Sequence, residues 1–100
     1  MLIPIRYKGF YDVPSIFLVQ HDGKTFLFER PFFAEKEDDA SYYQVYTMPE
    51  LRDDELPTDW TTLRAEAIGT VGIVDVSKVQ FDPTRKQAVD DGVFALINPM

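Results

Sequence analysis

The chain contains no cysteine. That absence excludes a disulfide framework, a thiolate nucleophile and a cysteine-ligated zinc site. Histidine is nearly as scarce, with His21 the only one in 100 residues. One imidazole and no thiol give a transition-metal site too few of its usual ligands. Basic residues are also few: ten Lys and Arg stand against seventeen Asp and Glu, for a net charge of −7. A chain of this balance lacks the basic footprint that nucleic acids and anionic membrane surfaces require. Pro4 and Arg6 interrupt the apolar start, so no signal peptide is read there, and no run approaches a membrane span. The expectation is a soluble, cytoplasmic protein.

What is present is ordinary globular composition, 45% hydrophobic and 27% charged, which excludes a disordered chain. The length suits one compact domain over residues 1–100, enough for one core and not for two. Fourteen aromatic residues, eight of them Phe, favour a β-rich core built on large flat side chains.

The net charge is confined to residues 35–59. Nine carboxylates (Glu35, Glu37, Asp38, Asp39, Glu50, Asp53, Asp54, Glu55 and Asp59) face only Lys36 and Arg52, a balance of −7. The other residues carry eight acids and eight bases and sum to zero. Inside the acidic stretch lies a strand-like run, Tyr42-Tyr43-Gln44-Val45-Tyr46. Tyrosines give amphipathic contact area and the rim of charge selects a basic partner. The plainer reading, two solvated loops around a buried strand, fits the same residues.

Asp22-Gly23 is the strongest local signal, a two-residue hairpin turn of type I′. Folding residues 15–30 about it pairs His21 with Lys24, Val19 with Phe26, Leu18 with Leu27 and Phe17 with Phe28. Pro14 then faces Pro31, and loss of a ladder donor on each side is expected to stop both strands together. One face carries Phe17, Val19, Phe26 and Phe28, the other Ile16, Leu18 and Leu27, so both faces should be covered.

Residues 3–7 read as a first strand with Lys8-Gly9 as its turn, and residues 42–47 as a further strand. Thr47 to Glu50 has capping-box spacing, predicting a helical turn through Leu51 and Leu56. An amphipathic helix is predicted over residues 58–68, capped by Thr58, with Trp60, Leu63, Ala67 and Ile68 on its buried stripe and Gly69 closing it. Residues 71–76 and 78–81 read as strands with a bend near residues 75–77. Asp82-Pro83 suggests a helical turn reaching Asp90 in preference to a tight turn between strands, and residues 93–97 form a last apolar segment of either type.

No motif commits the chain to a chemistry. His21 beside Asp22 reads as an exposed strand-end histidine, since a catalytic role needs partners that spacing does not supply. The pairs Asp38-Asp39, Asp53-Asp54-Glu55 and Asp90-Asp91 lack the alternating, glycine-centred pattern of a calcium loop. Gly69-Thr70-Val71-Gly72 lacks the lysine and the helix of a phosphate loop. No catalytic residue, cofactor or metal ligand is therefore assigned.

The expected fold is α+β: a mainly antiparallel, strongly bent sheet or small barrel with one amphipathic helix packed on it. The leading expectation for function is a non-enzymatic interaction domain, accessory or adaptor in kind. It would meet a basic protein partner through Glu37, Asp38, Asp39, Tyr42 and Tyr46, with no nucleic acid and no membrane. One alternative is a small-ligand site or minor enzyme with a pocket lined by Tyr7, Tyr11 and Tyr43 and carboxylates. Another is a structural homodimer.

Overall fold

A computed structural model of the chain describes residues 1–11, 13–30, 32–33, 38–39, 41–58, 60–82 and 87–99. Its centre is the hairpin of β2 (Val13–His21) and β3 (Lys24–Glu29). Asp22 and Gly23 take φ of 52° and 75°, the two positive values a type I′ turn demands. The register is Val19 to Phe26, Leu18 to Leu27 and Phe17 to Phe28, as the turn predicts. A β-branched residue is strained at such a φ, so Gly23→Val should lower stability by roughly 1 kcal/mol or more. Chemical denaturation checks this; an unchanged midpoint would mean the turn relaxes into another geometry.

β3 pairs next with β6 (Tyr42–Met48), and β6 with β7 (Gly69–Asp75), all antiparallel. On the other side β2 pairs with β1 (Leu2–Tyr11), and β1 with β8 (Ala88–Asp90). The order is β7-β6-β3-β2-β1-β8, and β4 (Phe32–Phe33) with β5 (Asp38–Asp39) forms a separate small ladder. The sheet is open, for β7 and β8 lie at opposite edges and do not pair. The α+β expectation and the closed-barrel variant are both overturned: helical structure among the described residues consists of 3₁₀ turns alone.

The predicted helix over residues 58–68 is a 3₁₀ segment, Trp60–Glu66, with Ala67 N–H donating to the Arg64 carbonyl at 3.2 Å. Seven residues including Thr61-Thr62 are too short and too β-branched to hold an α-helix alone. The chain then turns into the sheet, where Ile68 N–H bonds the Thr47 carbonyl at 2.7 Å. Gly69 accordingly opens β7 instead of closing a helix, and Ile68 is exposed.

Other boundaries move as well. Lys8-Gly9 is no turn, because β1 runs on to pair Tyr11 with Val13. Pro14 does not stop β2, which continues along β1; Pro31 lies outside the described residues. The capping box at Thr47 is not formed, since Thr47 and Met48 end β6, and a 3₁₀ turn follows later at Asp53–Glu55. The helical turn predicted to reach Asp90 gives way to β8, whose Val89 also bridges Phe81; residues 83–86 lie outside the described residues. The bend near residues 75–77 is a 3₁₀ turn, Val76–Lys78, capped by Asp75, which accepts from Ser77 N–H at 2.9 Å.

Each face of the sheet has its own core. On the first, Phe17 stacks on Phe28 with centroids 4.6 Å apart and meets Tyr43 and Phe81 edge-on at 5.2 and 5.5 Å. Val45, Val74, Val79, Val89 and Val93 complete that cluster. Residues 76–82 and the 3₁₀ turn Asp91–Ala95 supply its cover. On the second face, Ile16, Leu18, Leu27 and Met48 are covered by Leu51, Trp60 and Leu63. Cations on β1 strap that covering segment down: Arg6 Nη1 donates to the Leu51 carbonyl at 2.9 Å, and Lys8 Nζ to that of Thr58.

Candidate functional site

Strand alternation decides which tyrosines reach the surface. Tyr43 points into the first core, fully buried, and its hydroxyl donates to the Pro14 carbonyl at 2.7 Å. Tyr43 therefore opens on no solvent-filled pocket, and the side chain of Tyr11 lies outside what the structure describes. Tyr7 is half-buried against the same core. Tyr42 and Tyr46 lie on the opposite side of β6 and are half-buried, with the Tyr46 hydroxyl donating to Gln44 Oε1 at 2.8 Å. Asp38 and Asp39 stand in β5 opposite Phe33 and Phe32, whereas Glu37 lies outside the described residues.

Beyond Tyr46 lies a group that sequence reading passed over. Glu29 closes β3 opposite Gln44 and is buried, with Arg64 Nη1 at 3.4 Å from its Oε1. Burial pushes the Glu29 carboxyl up, and the exposed Arg64 guanidinium offsets only part of that. Burial, and then the Glu29 charge, also raise the Tyr46 phenol. The one signal available was a carboxylate at the inward phase of an apolar strand, which alternation alone would have flagged.

The sign of this shift gives a testable pH dependence. An acid whose pKa is raised by folding contributes stability that is complete below its unfolded pKa and is lost as pH rises through the folded one. Glu29→Gln should therefore match the parent chain in acid and melt no lower than it at neutral pH. Melting curves of both proteins across that range check this. A clearly lower neutral midpoint for the variant would show that the attraction of Arg64 outweighs desolvation.

His21 is not the exposed residue expected. It is half-buried, its ring stacked on Phe94 at 4.2 Å and Nε2 3.5 Å from the Asp22 carboxylate. Among the described residues no three of His, Cys, Asp and Glu gather as a metal site would need. Open grooves lie beside the second face, and two of them bear on the acidic segment. One, of about 620 Å³, runs between β1 and the loop bearing Glu50 and Arg52; the other, about 590 Å³, lies by Thr47, Met48, Glu50 and Ile68.

Glu50, Asp54 and Glu55 are exposed, and among the described residues Arg52 answers the last two, at 3.7 and 2.9 Å. Among the described residues no helix is long and apolar enough to cross a membrane. In comparisons with known proteins, no family model, no curated protein and no solved structure matches this chain.

Proposed function

We propose that this chain is a non-enzymatic protein-interaction domain, working in the cytoplasm, that binds a basic partner protein through its acidic segment and the adjoining tyrosine-bearing strand. The observation that carries the reading is the placement of charge. All of the net −7 falls in residues 35–59, and Glu50, Asp54 and Glu55 among its carboxylates face solvent instead of bracing the core. A uniform field of this kind raises encounter rates with a basic surface and rejects acidic ones. The half-buried Tyr42 and Tyr46 offer adjacent aromatic area at low entropic cost.

The test is capture of the partner from the native host followed by association kinetics. Neutralising Glu37, Asp38 and Asp39 to Gln and Asn should slow association roughly tenfold at low salt while leaving the melting temperature unchanged. The difference should shrink as the Debye length falls from ~10 Å at 0.1 M salt to ~3 Å at 1 M. Replacing Tyr42 should raise the off-rate instead. An on-rate that the three neutralisations leave unchanged at low salt would refute the proposal.

A further inference from the structure

β7 is an edge strand, and one end of that edge already holds an extended chain. Asn98 bridges Ile73 through two backbone hydrogen bonds, Ile73 N–H to the Asn98 carbonyl at 2.9 Å and the reverse at 2.7 Å. Gly72 makes room for this approach, since a Cβ there would lie 2.7 Å from the Asn98 carbonyl carbon and 2.9 Å from Pro99 Cα. A register shift between the Val45–Gly72 and Tyr46–Thr70 pairs bends the strand near Val71. Bulges and covering segments are the devices that protect an edge from foreign strands.

Among the described residues the other end, up to the bulge at Val71, has no covering segment. Gly69, Thr70 and Val71 have no backbone partner on their outer side among the described residues. Residues 67–74 contain neither a charge nor a proline, and Ile68 at their start is 71% exposed. The groove beside Ile68 is walled by Thr25, Thr47 and Met48, and its exposed charges are the carboxylates of Asp22 and Glu50 against the single ammonium of Lys24. The opposite edge of the sheet differs, because residues 80–82 run along β8, with Asp82 N–H on the Ala88 carbonyl and Asp90 N–H on that of Gln80.

We infer that the open end of β7, Ile68 to Val71, accepts an extended basic segment of a partner protein as an added antiparallel or parallel strand. Main-chain pairing would hold the segment ~4.8 Å beyond β7, with a side chain at its Ile68 end reaching the groove that Ile68 borders. The charge argues for a basic segment over a second copy, because two copies each carrying −7 repel on approach. This inference rests on the interaction-domain reading above and adds the place and the mode of docking.

The probe is an eight-residue peptide alternating valine and lysine, compared with the same peptide N-methylated at every second amide, which keeps its charge and loses its ladder donors. The expected result is that the N-methylated peptide binds about tenfold weaker or worse, as loss of several backbone hydrogen bonds requires. Hydrogen exchange at residues 69–71 should slow only with the parent peptide, and Ile68→Lys or Thr70→Lys should weaken its binding without changing the melting temperature. Equal binding of the two peptides would overturn the edge proposal and leave the acidic-surface reading standing. So would no binding of either peptide at low salt, with the captured partner still sensitive to the acidic neutralisations. Sedimentation as a dimer that Ile68→Lys dissolves would also overturn it, since the edge would then belong to a second copy.

Discussion

Phe17→Ala is expected to destabilise the chain by roughly 3–5 kcal/mol, the usual cost of emptying a buried phenylalanine site. Phe17 is fully buried at the point where the first core converges, stacked on Phe28 and met edge-on by Tyr43 and Phe81. These partners sit on β3, on β6 and on the segment beside β8, so none can collapse into the void without moving its own strand. Typical domains have only ~5–15 kcal/mol in total. The variant should therefore melt tens of degrees lower or fail to fold, at about 4–8 °C per kcal/mol for a chain this size. Phe17→Leu, which keeps most of the volume, should recover much of the loss. Thermal melts of the pair decide the matter, and an alanine variant within a few degrees of the parent would place Phe17 outside the core.

Trp60→Ala should cost a comparable amount, roughly 3–5 kcal/mol, on the other face. The second core is smaller, and Trp60, 8% exposed, is its largest member beside Leu51 and Leu63. No α-helix hydrogen bonding holds the Trp60–Glu66 segment in place, so its side chains and the Glu29–Arg64 contact anchor it. Trp60 is the sole tryptophan, and its emission reports on that docking directly. A blue-shifted native maximum that moves red in Leu63→Ala is expected. A water-exposed maximum in the native parent chain would contradict the placement.

The hairpin was legible because one local signal carried the rest. Asp22-Gly23 named the turn, the turn fixed the register, and the register sorted Phe17, Val19, Phe26 and Phe28 from Ile16, Leu18 and Leu27. Burial of Trp60 and Leu63 was legible too, although their conformation was not. Residues three apart share a face in a 3₁₀ helix and an α-helix alike, and only Ile68, beyond the segment, could separate the two. β8 was hidden by its brevity, for three residues with Asp82-Pro83 upstream look like a capped helix, and what makes them a strand is pairing with Leu2, Ile3 and Pro4 at the far end of the chain. The same holds for the candidate site. The acidic charge stood in plain view, and the inward phase of Glu29 is legible in the alternation of β3, whereas its pairing with Arg64 and the open end of β7 depend on tertiary placement, which no local pattern encodes.

Residue-resolved native-state hydrogen exchange tests the open, two-faced sheet most directly. Central amides of β3 and β6, around Leu27, Phe28 and Val45, should exchange slowest, with residues 60–66 and the outward amides of residues 69–71 among the fastest. Contiguous strong protection across residues 60–66, the mark of an α-helix, or slow exchange of every amide in residues 69–71, the mark of a closed barrel, would contradict it.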